Sequence, residues 1–130
     1  MKTHTEFLYS ITEKEIGVFV SLTGDNNPIH TDGKVAAANG FESPIAHGML
    51  AASLFSTLIG TKLPGGPYLY LSQDIRFHKP IYVPSTITVR GIITGTTANG
   101  VSSLTMEILS TENIRLVSGT ARVKKIQHHE

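Results

Sequence analysis

The sequence contains no cysteine, which excludes disulfides, zinc–thiolate sites and cysteine nucleophiles together. It has no apolar run approaching the roughly 18 residues that a membrane-spanning helix requires, and its first residues, Met1 to Glu6, are polar. A soluble, cytoplasmic protein with no membrane partner is therefore expected. An excess of charge is also missing, since the formal net charge is +1 and charged residues make up 16% of the chain. Without a broad basic field, general binding to nucleic acid is not expected, although a local cluster can still hold one phosphorylated ligand. There is no internal repeat, low-complexity tract or linker. The 130 residues, 40% of them apolar, suit one domain over 1–130 with its own core.

What is present divides into a helical first half and a strand-rich second half. Thr12 and Glu15 have capping-box spacing, and Ile16, Phe19 and Val20 then share one face of a helix over 12–22 that Gly24 can end. Asp25-Asn26-Asn27-Pro28 is dense in turn formers, so an ordered loop closing at His30 follows. A short helix over 34–39, capped by Asp32 and ended by Gly40, precedes a long one over 45–62. Met49, Leu50, Leu54, Leu58 and Ile59 spread around much of the long helix, which predicts burial on most sides. Pro64-Gly65-Gly66-Pro67 stops it.

Four strands are expected after that, at 68–77, at 86–95, around Leu104 to Ile108 and around Val117 to Val123. Asn99-Gly100 marks a hairpin and Glu112-Asn113 a further turn, so the second half reads as an antiparallel meander. An apolar helix followed by strands predicts an α+β arrangement in which a curved sheet wraps the helix. One small sheet leaves its edge strands open, and pairing two protomers would satisfy them, so a homodimer is expected.

The residues that can carry chemistry are Asp25, His30, Gly48 and Ser56. Taken singly, each has a plain reading: a turn aspartate, a loop histidine, a packing glycine and a helical serine bonding back to a carbonyl. Together they offer more. A loop pinned by Pro28 can set a carboxylate and an imidazole on one side of a pocket, where the pair can activate a water. The backbone donor of Gly48, near the positive end of a helix, can stabilise charge developing on a thioester oxygen. Metal binding is not expected, because His30, Asp32 and His47 have no recognised ligand spacing and His128-His129 stands at the terminus. Gly65-Gly66 lacks the lysine and the strand–turn–helix context of a phosphate loop.

The run FVSLTGDNNPIHTD followed by GFESPIAHGMLAASLFSTLIGTKLPG closely resembles the MaoC-like (R)-specific enoyl-CoA hydratases, which have the hot dog fold. The resemblance extends from about Glu6 to Val89, and its most specific part is Asp25 and His30 separated by four residues, together with His47-Gly48-Met49-Leu50. It implies that Asp25 and His30 are the catalytic pair, that Gly48 donates to the thioester carbonyl, and that Ser56 helps hold the pair and the substrate. The implied reaction is the reversible syn hydration of a trans-2-enoyl-CoA to an (R)-3-hydroxyacyl-CoA. It needs no cofactor and takes an acyl-CoA thioester as its small-molecule partner. The family's active site lies near the dimer interface, so a homodimer should hold two equivalent sites, with Ile59 among the residues lining an acyl tunnel.

Three alternatives stand beside this reading: dehydration of 3-hydroxyacyl chains on a carrier protein in fatty acid synthesis, thioester hydrolysis on the same fold, and a silent acyl-binding subunit. For the CoA phosphates the basic candidates are Lys62, Arg76, Lys79 and the Lys124-Lys125 pair, each of which is also simply read as solvated surface charge.

Overall fold

The structure, a computed structural model, describes residues 4–127, so His128 and His129 lie outside the described residues. In chain order the elements are strand β1 (His4–Ile11), helix α1 (Glu13–Thr23), a 3₁₀ turn (Pro28–His30), helix α2 (Gly33–Ala38), helix α3 (Gly48–Thr57) running into a π-helical turn (Leu58–Lys62), and strands β2 (Tyr68–Phe77), β3 (Ser85–Thr96), β4 (Val101–Ser110) and β5 (Arg115–Lys125).

Strand β1 is a correction to the four-strand expectation. Its outward residues His4, Glu6, Leu8 and Ser10 alternate with Thr5, Phe7, Tyr9 and Ile11, which turn toward the core, a half-buried strand pattern running through a polar-looking start. All pairings are antiparallel, but the second half is not a simple meander. Strands β3, β4 and β5 follow one another, whereas β2 crosses to the far side of β5 and β1 flanks β3, giving the order β1-β3-β4-β5-β2. The two open edges are therefore β1 and β2.

Helix α3 begins later than the 45 anticipated, because the backbone ahead of it is used differently. Ile45 forms an isolated bridge with Tyr82, and the Ala46 N–H donates to the Ile81 carbonyl at 2.8 Å. These bonds hold the segment extended until His47. From there Leu50, Ala51, Ala52, Leu54 and Phe55 are buried while Met49, Ser53 and Ser56 form an exposed stripe at three- and four-residue spacing. Burial on most sides thus holds, with one face left over.

The core joins Leu54, Phe55 and Leu58 to Val89 of β3, Met106 and Ile108 of β4, and Val117 and Val123 of β5. The helix lies so close to the sheet that a Cβ on Gly91 would stand 2.7 Å from a Leu58 methyl. A sheet wrapped about a central helix is the α+β hot dog arrangement that the resemblance implies.

The other helix ends follow their sequence signals. Thr12 and Glu15 form the capping box of α1, with the Thr12 N–H donating to Glu15 Oε1 at 2.8 Å. The Thr12 hydroxyl and N–H together hold the Glu15 carboxyl below its usual range. Gly24, at φ 77°, ends α1, and Asp32 caps α2 by accepting from Lys34 and Val35.

Candidate active site

The loop after α1 is built from short-range bonds to side chains. Asp25 N–H donates to the Thr23 hydroxyl at 3.2 Å, Asn27 N–H to Asp25 Oδ1 at 3.4 Å, and Ile29 N–H to Asn27 Oδ1 at 3.2 Å. Pro28 opens the 3₁₀ turn, which needs no donor from it, and His30 closes the turn. The Asp25 carboxylate thus carries one long internal bond and is exposed, while His30 is half-buried.

His30 Nδ1 lies 2.7 Å from the Ile45 carbonyl oxygen. A carbonyl can only accept, so Nδ1 carries the proton, and Nε2 is the lone-pair nitrogen of the neutral ring. The sequence distance between residues 30 and 45 is bridged a second time, because Ile45 N–H donates to the Ile29 carbonyl at 3.3 Å. The loop and the approach to α3 are therefore one unit, and this unit is pinned to the 81–83 segment by the Ile45–Tyr82 bridge.

His47 comes next. It is only 2% exposed, its Nε2 donates to the Asp25 carbonyl at 3.0 Å, and its ring stacks on His30 with centroids 3.8 Å apart and planes 26° apart. Its side chain makes no capping bond to α3. Gly48, the first residue of α3, therefore presents its N–H at a helix end that no side chain closes. The ring of Phe77 lies against Gly48, so that a Cβ there would meet Phe77 Cε1 at 2.8 Å. A side chain of any kind at 48 would push against that ring.

Asp25, His30, His47, Gly48, Met49 and Phe77 all line one cleft of about 540 Å³, whose other walls include Phe41, Ile81 and Val117. One polar end and a mostly apolar wall suit a ligand with a reactive polar head and a hydrocarbon tail. Asp25, His30 and His47 each bring one possible ligand atom within 4.8 Å of the others. Asp25, rather than the Asp32 considered with His30 and His47 from spacing, completes the histidine- and aspartate-containing group that the fold assembles among the described residues. This group offers an acid–base pair and a third, buried ring; the same atoms would be the ligands if a cation were held.

The structure brings together three of the four residues singled out from sequence, Asp25, His30 and Gly48, in this cleft. Ser56 is not among them. It lies two turns along α3 on the exposed stripe, it does not line the cleft, and no hydrogen bond joins it to Asp25 or His30 within the chain. Ile59, expected at a tunnel wall, is 3% exposed within the core. Of the five basic residues considered for phosphate, Lys79 alone lines the cleft, beside His78. His47 and Phe77 were missed as site residues. His47 stands in the most specific stretch of the resemblance, His47-Gly48-Met49-Leu50, but without a role of its own; for Phe77 there is no signal, since it reaches the site only through the placement of β2.

A family model described as the MaoC like domain matches residues 1–113. An (R)-specific enoyl-CoA hydratase from Aeromonas caviae is 40% identical over 111 residues, which make up 85% of this chain and 83% of that protein. Among solved structures, an (R)-hydratase from A. caviae involved in PHA biosynthesis matches with a TM-score of 0.90 at 35% identity, with 95% of each chain covered. An R-hydratase from Pseudomonas aeruginosa in the unliganded form matches at 0.89 with 28% identity, over 100% of this chain and 88% of that one. Sequence and fold agree across nearly the whole chain, and the protein belongs to the MaoC like domain family.

Proposed function

We propose that this protein is an (R)-specific enoyl-CoA hydratase, catalysing the reversible addition of water to a trans-2-enoyl-CoA. The observation that carries the proposal is the meeting of Asp25 and His30, with possible ligand atoms within 4.8 Å, in the same cleft as the open amino end of α3 at Gly48. Its support from outside the chain is the 40% identity to a hydratase of that description.

The chemistry follows from the donors and acceptors. The Asp25 carboxylate and the His30 Nε2 lone pair are both acceptors, so a water between them directs its two protons at the protein and a lone pair outward. The Gly48 N–H donates to the thioester carbonyl oxygen and draws electron density away from the β carbon. Water oxygen bonds to the β carbon, one of its protons passes to the Asp25–His30 pair, and the α carbon receives a proton from the pair on the same face. The two groups act as a unit, so the protons are assigned to the pair. Dehydration is the same path reversed.

A homodimer belongs to this proposal. Strand β2 is an open edge whose Leu69 and Leu71 are exposed, and Met49 and Phe77 add exposed apolar surface where the cleft opens. A second copy pairing along that edge would satisfy its open backbone groups and cover this apolar surface.

Crotonyl-CoA supplies the test. Loss of alkene absorbance without release of free thiol is expected; thiol release with the alkene retained would instead identify a thioesterase and defeat the proposal. Competition between CoA-linked and carrier-linked substrates separates the hydratase from a carrier-dependent dehydratase.

A further inference from the structure

We infer that His47 is a positioning residue that holds Asp25 and His30 in register through its ring. The inference rests on the hydratase reading, to which it adds a part. Three contacts converge on one side chain: the Nε2 bond to the Asp25 carbonyl at 3.0 Å, the stack on His30 at 3.8 Å, and a tilted contact with Phe19 of α1 at 4.8 Å between centroids. The residue after it is Gly48, so displacement of the ring also moves the backbone donor. His47 thereby touches the Asp25 backbone and the His30 ring and stands next to the Gly48 donor, with its N–H spent on the Asp25 carbonyl.

The unused atom strengthens the case. Because Nε2 donates to a carbonyl, Nδ1 of the neutral ring is a bare acceptor, and it is buried with no hydrogen-bond partner. A stranded buried nitrogen costs stability, and a leucine here would avoid that cost. Packing alone does not call for a histidine. A flat ring with one N–H aimed at the Asp25 carbonyl and a face for His30 does. The groups facing it are the Asp25 backbone, the His30 imidazole and the Phe19 ring, and the first two belong to the residues whose geometry the reaction depends on.

The experiment compares wild type, His47→Leu and His47→Gln in steady-state hydration of crotonyl-CoA, with melting temperatures measured alongside. His47→Leu removes the donor, and we expect kcat to fall about thirtyfold or more with KM within about threefold, since misplacement of the reacting groups affects the chemical step. His47→Gln keeps an N–H at the same reach and is expected to recover kcat to within about fivefold of wild type. Leucine turnover equal to wild type, or a glutamine variant that folds normally and is as slow as leucine, overturns the inference. So does wild-type activity that EDTA abolishes and Zn²⁺ restores, which would make His47 a ligand.

Side-chain nitrogen NMR of the intact protein gives a readout independent of turnover. His47 is expected to be protonated at Nε2 and bare at Nδ1; the opposite tautomer removes the bond to Asp25 and the inference with it. A wild type that leaves crotonyl-CoA untouched would sink the hydratase reading, whereas the tautomer would still decide whether His47 ties the loop.

Discussion

The amino ends of α1 and α3 look alike in sequence position, each following an extended segment, but they are finished in opposite ways. At α1, Thr12 and Glu15 close the end with a reciprocal capping box, and the Glu15 carboxyl is held below its usual range by the donors it accepts from. At α3 the cap residue is His47, whose side chain turns away to Asp25 and leaves the first N–H groups without a side-chain partner. The Asp25 carboxylate has a single long bond at 3.4 Å, against the bonds at Glu15. A carboxylate consumed by its own backbone serves stability, and one left nearly free beside an open helix end is available for chemistry.

Substitutions can break this contrast, and the largest effect is expected at the free carboxylate and its partner. Asp25→Asn and His30→Ala should each lower turnover by at least about a hundredfold, as loss of an acid–base group does. Asp25 is exposed, so Asp25→Asn should change urea unfolding by less than about 0.5 kcal/mol. His30→Ala also loses the bond to the Ile45 carbonyl and should cost about 1 kcal/mol while leaving the protein folded. Near-normal rates in both would mean that the open end of α3 serves something else.

Gly48→Ala comes second. Its Cβ would stand 2.8 Å from the Phe77 ring, so either the ring or the helix start must shift. A displacement of the donor by a fraction of an ångström to one ångström should lower kcat by about tenfold to a hundredfold. Adding Phe77→Ala to the same chain should return part of the rate, and failure to do so would place the effect elsewhere than in that contact.

The closed end of α1 should respond in the reverse sense. Thr12→Ala is expected to destabilise the fold by about 1 kcal/mol, read by urea unfolding, with turnover unchanged. The smallest effect is one of pH, far from both helix ends. Burial raises the Tyr70 phenol to about 12, whereas the unfolded chain releases that proton near 10.0. The unfolded state therefore binds fewer protons between those values, so stability is intact below about pH 10 and falls as pH rises toward 12. Tyr70→Phe should flatten that part of the stability profile.

Local signals in the sequence describe the closed end well and the open end poorly. Capping-box spacing identifies the start of α1 because Thr12 and Glu15 bond within one turn. Asp32 and the strand from 68 to 77 are legible for the same reason, that their patterns are local. Strand β1 was passed over because polar residues at His4, Glu6 and Ser10 mask the alternation of Phe7, Tyr9 and Ile11. The place of β2 beside β5 is a long-range pairing that no hairpin signal reports.

At the site, Asp25, His30 and Gly48 were legible from the loop motif and the resemblance, since both lie within one stretch of chain. The role of His47 was not, although the residue lies in the same motif, because its contacts are to residues 17 and 22 positions away. Ser56 fell outside the cleft because its stripe on α3 faces away from the chain's own core.

The most direct test of the central claim is hydration of crotonyl-CoA in deuterium oxide, with chiral and isotopic analysis of the product. The account requires (R)-3-hydroxybutyryl-CoA carrying deuterium at the α carbon on the face that received the hydroxyl, and almost none from Asp25→Asn. An (S) product, anti placement of the label, or full yield from the variant would contradict it.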